Sequence, residues 1–149
     1  MRGFWIALLL TASWVSPIRA NECESKALEI ARHMGLDAGQ RTPTNSIPLS
    51  ARTEADDDYG AYLLCNGTLG MTLHYLSPPS PGQKWFEFVG RSGTILTKVG
   101  PVLIALEARN CVENAQLREA SFRSPGSAVQ MMCSVSKMDK RAEISLAAH

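Results

Sequence analysis

PVLIALEARNCVENA, residues 101–115, has the period of a helix with one face against a core. Ile104, Ala108, Cys111 and Ala115 recur at helical spacing, and Leu103 and Val112 widen their stripe. Glu107, Asn110, Glu113 and Asn114 fall mostly on the other side. This is the 3.6-residue repeat of an amphipathic α-helix. Gly100 can stand at the N-cap, and Pro101 suits the first helical position, where a missing N–H costs nothing. The inward stripe carries a cysteine. In a chain with four cysteines, that placement predicts a covalent tie to another element. A helix buried on one side needs a second layer, and the flanking sequence supplies strands for it.

Downstream, the helix frays through Gln116 to Ala120, and Ser124-Pro125-Gly126 reads as a turn. Residues 128–136 then alternate, with Val129, Met131, Cys133 and Val135 on one face and Gln130, Met132, Ser134 and Ser136 on the other. Alternation of this kind marks a half-buried strand. From Lys137 to His149 the chain is charged, then weakly apolar, and is expected to be a C-terminal tail, mobile or at most a short helix.

Upstream, Ser80-Pro81 with Gln83 reads as a capping box, followed by Trp85, Phe88, Val89, Ser92, Ile95 and Leu96 at helical spacing. Gly90 and Gly93 each weaken a helix by roughly 1 kcal/mol relative to alanine. Close approach of another element is the expected return, with a cofactor pocket beneath them as the alternative. Residues 59–76 read as a β-hairpin turned at Asn66-Gly67, the preferred pair for a two-residue type I′ turn. That turn sets Cys65 opposite Thr68, Leu64 opposite Leu69 and Tyr62 opposite Met71. Because opposed residues share a face, Tyr62, Leu64, Leu69, Met71, Leu73 and Tyr75 are expected inside, with Ala61, Leu63, Cys65 and His74 on the other face. Asn66-Gly67-Thr68 is also an N-glycosylation sequon, which matters only in a eukaryotic secretory pathway.

Nearer the start, Asn21 is an N-cap with Glu24 completing its capping box, and Cys23, Ala27, Ile30, Ala31 and Met34 form an apolar stripe that ends at Gly35. Residues 36–58 are the least regular. Pro43 and Pro48 rule out a central strand there, leaving Thr44 to Leu49 as an edge strand at most. Residues 1–20 have the form of a signal peptide. Arg2 is the basic start, Phe4 to Val15 is an uncharged apolar run, and Pro17 precedes a small residue at Ala20. The apolar run is shorter than the roughly 20 residues of a membrane span, so cleavage after Ala20 and export to the periplasm or outside the cell are expected, with no stable span afterwards.

Cleavage removes 20 of 149 residues, two of them arginines and none acidic, so the net charge moves from +1 to −1. A near-neutral chain of this length holds one modest core and offers no general attraction to nucleic acid or anionic membrane. The expected organisation is a signal peptide (1–20), one disulfide-stapled α+β domain (21–136) and a charged tail (137–149). In that domain about three helices pack on one face of a small antiparallel sheet made of hairpin 59–76 and strand 128–136.

An even cysteine count in an exported chain favours two disulfides, which four cysteines can form in three ways. Cys111 on an inward helix stripe and Cys133 on the apolar strand face are the natural pair. That leaves Cys23 to join Cys65, although Cys65 falls on the less apolar hairpin face. No CxxC, GxSxG or phosphate-binding glycine loop occurs. The acidic run Glu54, Asp56, Asp57, Asp58 lacks the alternation of a calcium loop and reads as a solvated segment. His33 reads as a solvated residue favoured by its helix dipole. His149 is the terminal residue. Only His74, with a serine or carboxylate, could serve as a catalytic base. No catalytic, cofactor or metal site is expected. The favoured function is a small exported binding or accessory protein, inhibitor- or immunity-like, meeting a protein partner in the envelope or outside the cell. A hydrolase using His74 with a carboxylate and a structural envelope component are the alternatives.

Overall fold

The computed structural model describes residues 18–51, 60–66, 70–118, 121–124 and 129–147. In chain order the elements are α1 (Ile18–Met34), β1 (Leu36–Ala38), β2 (Ser46–Ala51), β3 (Gly60–Asn66), β4 (Gly70–Pro79), α2 (Gln83–Thr97), α3 (Pro101–Arg118), β5 (Phe122–Arg123), β6 (Gln130–Val135) and β7 (Arg141–Ala147). The strands form one antiparallel sheet in the order β1-β2-β3-β4-β7-β6-β5. The three helices lie along one face of it. α1 packs on β1, β2 and β3, α2 on β4, and α3 on β5, β6 and β7. The fold is α+β.

The core lies between the two layers. Strand alternation sends Ile47, Leu49, Leu63, Leu73, Tyr75, Met131, Ile144 and Leu146 inward to meet Ile30, Trp85, Val89 and Ile104 from the helices. Gly90 and Gly93 let α2 sit close to its neighbours. A Cβ on Gly90 would lie 2.4 Å from the Pro101 carbonyl oxygen, and one on Gly93 would lie 2.6 Å from Leu146 Cδ2. Those side chains and backbone fill the space where a cofactor pocket was the alternative. Within the layer, buried Tyr75 Oη and Ser92 Oγ share a hydrogen bond of 2.9 Å. Ser92 Oγ also donates to the Phe88 carbonyl at 2.7 Å, so the pair is internally satisfied.

Two disulfides cross between the layers. Cys23 on α1 is bonded to Cys65 on β3, and Cys111 on α3 to Cys133 on β6, each with Cα atoms 5.9 Å apart. All four cysteines are buried.

The hairpin register differs from the expected one. Cys65 pairs with Met71, Leu64 with Thr72 and Tyr62 with His74, leaving three residues between Asn66 and Gly70 rather than two. Gly67, Thr68 and Leu69 lie outside the described residues. Gly70, at φ 85°, takes a left-handed conformation suited to glycine. A register shift by an odd number of residues turns one strand over relative to the other. The inward face of β4 stays as expected, while β3 is inverted, with Ala61, Leu63 and Cys65 buried and Tyr62 exposed. The same inversion brings Cys65 under α1, within reach of Cys23.

The expected tail is a strand at the heart of the sheet. β7 lies between β4 and β6, so the strand at 128–136 does not join the hairpin directly, and the domain runs to residue 147 rather than 136. Ala142, Ile144 and Leu146 are fully buried and alternate with Arg141, Glu143 and Ser145. Only three modest apolar residues carry that period, and the charged 137–141 segment before them masks it. Where β4 slips past β7 between Leu76 and Pro79, buried Ser77 Oγ accepts the Ala142 N–H at 2.7 Å and so satisfies a donor that the bulge would orphan.

Four smaller expectations also change. β2 is flanked on both sides. Pro48 is tolerated because its missing N–H would point past the end of the short β1, where the Gly39 N–H donates to the Pro48 carbonyl. α1 begins at Ile18, so Asn21 lies inside the helix instead of capping it. α2 is capped by Gly82, with no side-chain bond; Gln83 bonds Glu87 instead of completing a box with Ser80. Leu103 is 43 % exposed rather than part of the inward stripe of α3.

Candidate functional site

One face of the sheet is covered by helices, and the other is open among the described residues. Strand registers set the residues of the open face in transverse rows. The central row runs Pro48, Tyr62, His74, Ser145, Met132, Arg123, one residue from each of six adjacent strands. On one side of it lies the row Ser46, Leu64, Thr72, Ala147, Gln130, and on the other Gly60, Leu76, Glu143, Ser134. Glu143 and Arg123 are the only charged residues in these three rows. Tyr62, Leu76 and Met132 stay 40 %, 38 % and 45 % exposed. An uncharged centre with an exposed aromatic, a methionine and a polar margin is the make-up of a protein interface core.

The centre of the face is pre-ordered. The Tyr62 and His74 rings stack, 5.0 Å between centroids and 2° from parallel. At the edge of the imidazole, Ser145 Oγ and His74 Nδ1 share a hydrogen bond of 3.0 Å. Burial holds the His74 pKa below its ordinary value, against an opposing pull from the Glu143 carboxylate. The ring is therefore fixed on two sides and biased toward its neutral form, so it can be covered by a partner without stripping water from a cation.

His74, the candidate base, is brought by the structure to Ser145. Glu143 acts on it through charge; no hydrogen bond joins the two. The pair sits on the open face of the sheet. Two shallow clefts lie elsewhere. One, of about 630 Å³, is lined by Phe86, Val112, Val135, Arg109, Glu113 and Lys140 where α2 begins. The other, of about 510 Å³, lies between the first turns of α1 and Met71. His33 is exposed, and its Nδ1 donates to the Glu29 carbonyl one turn back at 2.9 Å. The acidic run at 54–58 and His149 lie outside the described residues, as do the last two residues of the sequon. Among the described residues no three His, Cys, Asp or Glu side chains gather as metal ligands, and no helix is long and apolar enough to cross a membrane.

Reading the sequence alone missed Tyr62 and Ser145. Tyr62 was hidden by the wrong hairpin register and Ser145 by the weakness of the β7 signal. Met132 was already on the polar face of its strand.

Compared with known proteins, the chain matches no family model, no curated protein and no solved structure.

Proposed function

We propose that this is a small exported protein that acts by protein contact, as an inhibitor- or immunity-type accessory factor, with the open sheet face as its contact surface. The observation that carries this reading is the central row, in which an exposed Tyr62 is stacked on His74 and held in place on an almost uncharged sheet face. Small ligands are bound in concave sites, and the two clefts described above are lined by residues outside this row. Two buried disulfides are compatible with the oxidising compartments outside the cytoplasm. The signal-like start supports export, with Asn21 as the first residue of the mature chain.

The test is site-specific photocross-linking in the producing cell. A cross-linker at position 132 should give a discrete protein adduct, and one at position 87 on the helical layer should not. Adducts from position 87 alone would overturn the assignment of the surface. N-terminal sequencing of the exported protein should begin at or beside Asn21; full-length chain confined to the cytoplasm would overturn export.

The Ser145–His74 hydrogen bond is the specific observation behind a second reading, a hydrolase with Ser145 as nucleophile and His74 as base. It requires covalent labelling by a fluorophosphonate probe that Ser145→Ala abolishes. Absence of labelling would leave the contact reading alone.

A further inference from the structure

We propose that the open face joins two copies of this chain, face to face, about a two-fold axis running along β4. The proposal rests on the reading of this face as the contact surface and names its occupant.

β4 is the middle strand of the seven. A two-fold axis along it lays β3 of one copy over β7 of the second, β2 over β6, and β1 over β5. The rows are built for that superposition. In the central row it sets bulky Tyr62 against small Ser145 of the second copy, and compact Pro48 against long Met132. In the flanking rows it sets Leu64 against Ala147 and Gly60 against Glu143. His74 meets its own counterpart on the axis. Each large side chain on one flank of β4 is matched by a small one on the other, so the surface is complementary to itself, as an isologous interface must be. Facing sheets stand about 10 Å apart and need such interdigitation to fill the space between them.

Charge and area agree. Glu143 faces Gly60 of the second copy in an outer row, and Arg123 on β5 falls over β1 at the sheet edge, so neither charge is set directly against its own counterpart. The basic Arg123 edge on β5 comes beside the β1 edge that carries Asp37. Six strands about 4.8 Å apart and three rows about 7 Å apart give roughly 500–600 Å² per copy. The total of roughly 1,000–1,200 Å² is at the lower end for a specific association, the size class of weak, reversible encounters. Val102, Leu103 and Leu106 form an exposed apolar group on α3, in the helical layer away from this face, and serve as the control.

Sedimentation velocity on the exported, disulfide-bonded protein, from about 1 to 500 μM, should show a reversible monomer–dimer equilibrium. Ser145→Arg, which fills the recess for Tyr62, and Tyr62→Glu should each weaken the dimer by roughly tenfold or more, as loss of a central anchor does. Met132→Glu lies at an exposed position and keeps the test valid if Ser145→Arg fails to fold. Val102→Lys and Leu106→Lys should leave the equilibrium unchanged. A protein that stays monomeric across the range overturns the self-association; cross-linking from position 132 to a different protein would then still support the contact surface. A dimer broken by the α3 variants and indifferent to Tyr62→Glu overturns both.

Discussion

Two glycines set how close α2 comes to its neighbours, and they differ in what blocks a larger side chain. At Gly90 the obstacle is the Pro101 backbone carbonyl, 2.4 Å from a would-be Cβ; at Gly93 it is a methyl of Leu146 at 2.6 Å. Alanine at either position gains roughly 1 kcal/mol of helix propensity. Overpacking a close contact costs typically 1–3 kcal/mol, and backbone yields less than a side-chain tip. Gly90→Ala is therefore expected to lower the urea midpoint, and by more than Gly93→Ala. A second residue-scale effect belongs to His74. Its folded-state pKa lies below the ordinary 6.5, so between those two values the unfolded chain binds the proton more readily. Stability should thus fall as pH drops below about 6.5 and level off once the folded form also protonates. His74→Gln should flatten that part of the pH–stability curve, read by denaturant titration at several pH values.

At the scale of elements, the helices were legible in sequence and the strand partners less so. α3 announced itself through Ile104, Ala108, Cys111 and Ala115, all buried, because a long period repeated over four turns leaves little ambiguity. The hairpin was legible as a hairpin, but its register hung on one dipeptide. Asn66-Gly67 favours a two-residue turn, and tertiary burial of Leu63 and Cys65 under α1 is what the observed pairing satisfies instead. β7 was the hardest to see. A strand of seven residues with three small-to-medium apolar side chains yields a weak local signal, and its importance comes entirely from where the sheet places it. Ile144→Asp tests this. A carboxylate there would be buried and unpaired between β4 and β6, and the variant should fail to give soluble folded protein, whereas Glu143→Gln one residue away should fold normally.

Across the whole molecule, the covalent ties are divided between the two flanks. Cys23–Cys65 fastens α1 to the β3 side, and Cys111–Cys133 fastens α3 to the β6 side, while α2 in the middle carries no disulfide and is held by packing and the Tyr75–Ser92 hydrogen bond. With sequence separations of 42 and 22, each bridge should contribute roughly 3–4 kcal/mol by restricting the unfolded chain. Cys111→Ala with Cys133→Ala should lower the unfolding free energy by about that amount, measured against urea, and α3 should lose amide protection ahead of α1. A unit of this size has a modest core, so losing that much would bring it near its unfolding threshold.

The place of β7 also fixes the order in which the molecule can come into being. Synthesis and, as proposed, translocation both deliver the chain from its N-terminus, so β4 and β6 arrive before the strand that belongs between them. Until residues 141–147 emerge, two inner edges with unpaired backbone groups stand open, and neither can close on the other. The seven-stranded sheet is therefore completed only once residues 141–147 have been delivered. Under the proposed export, that order keeps the chain threadable through a membrane channel, and a copy cut short before β7 keeps two sheet edges open to wrong partners.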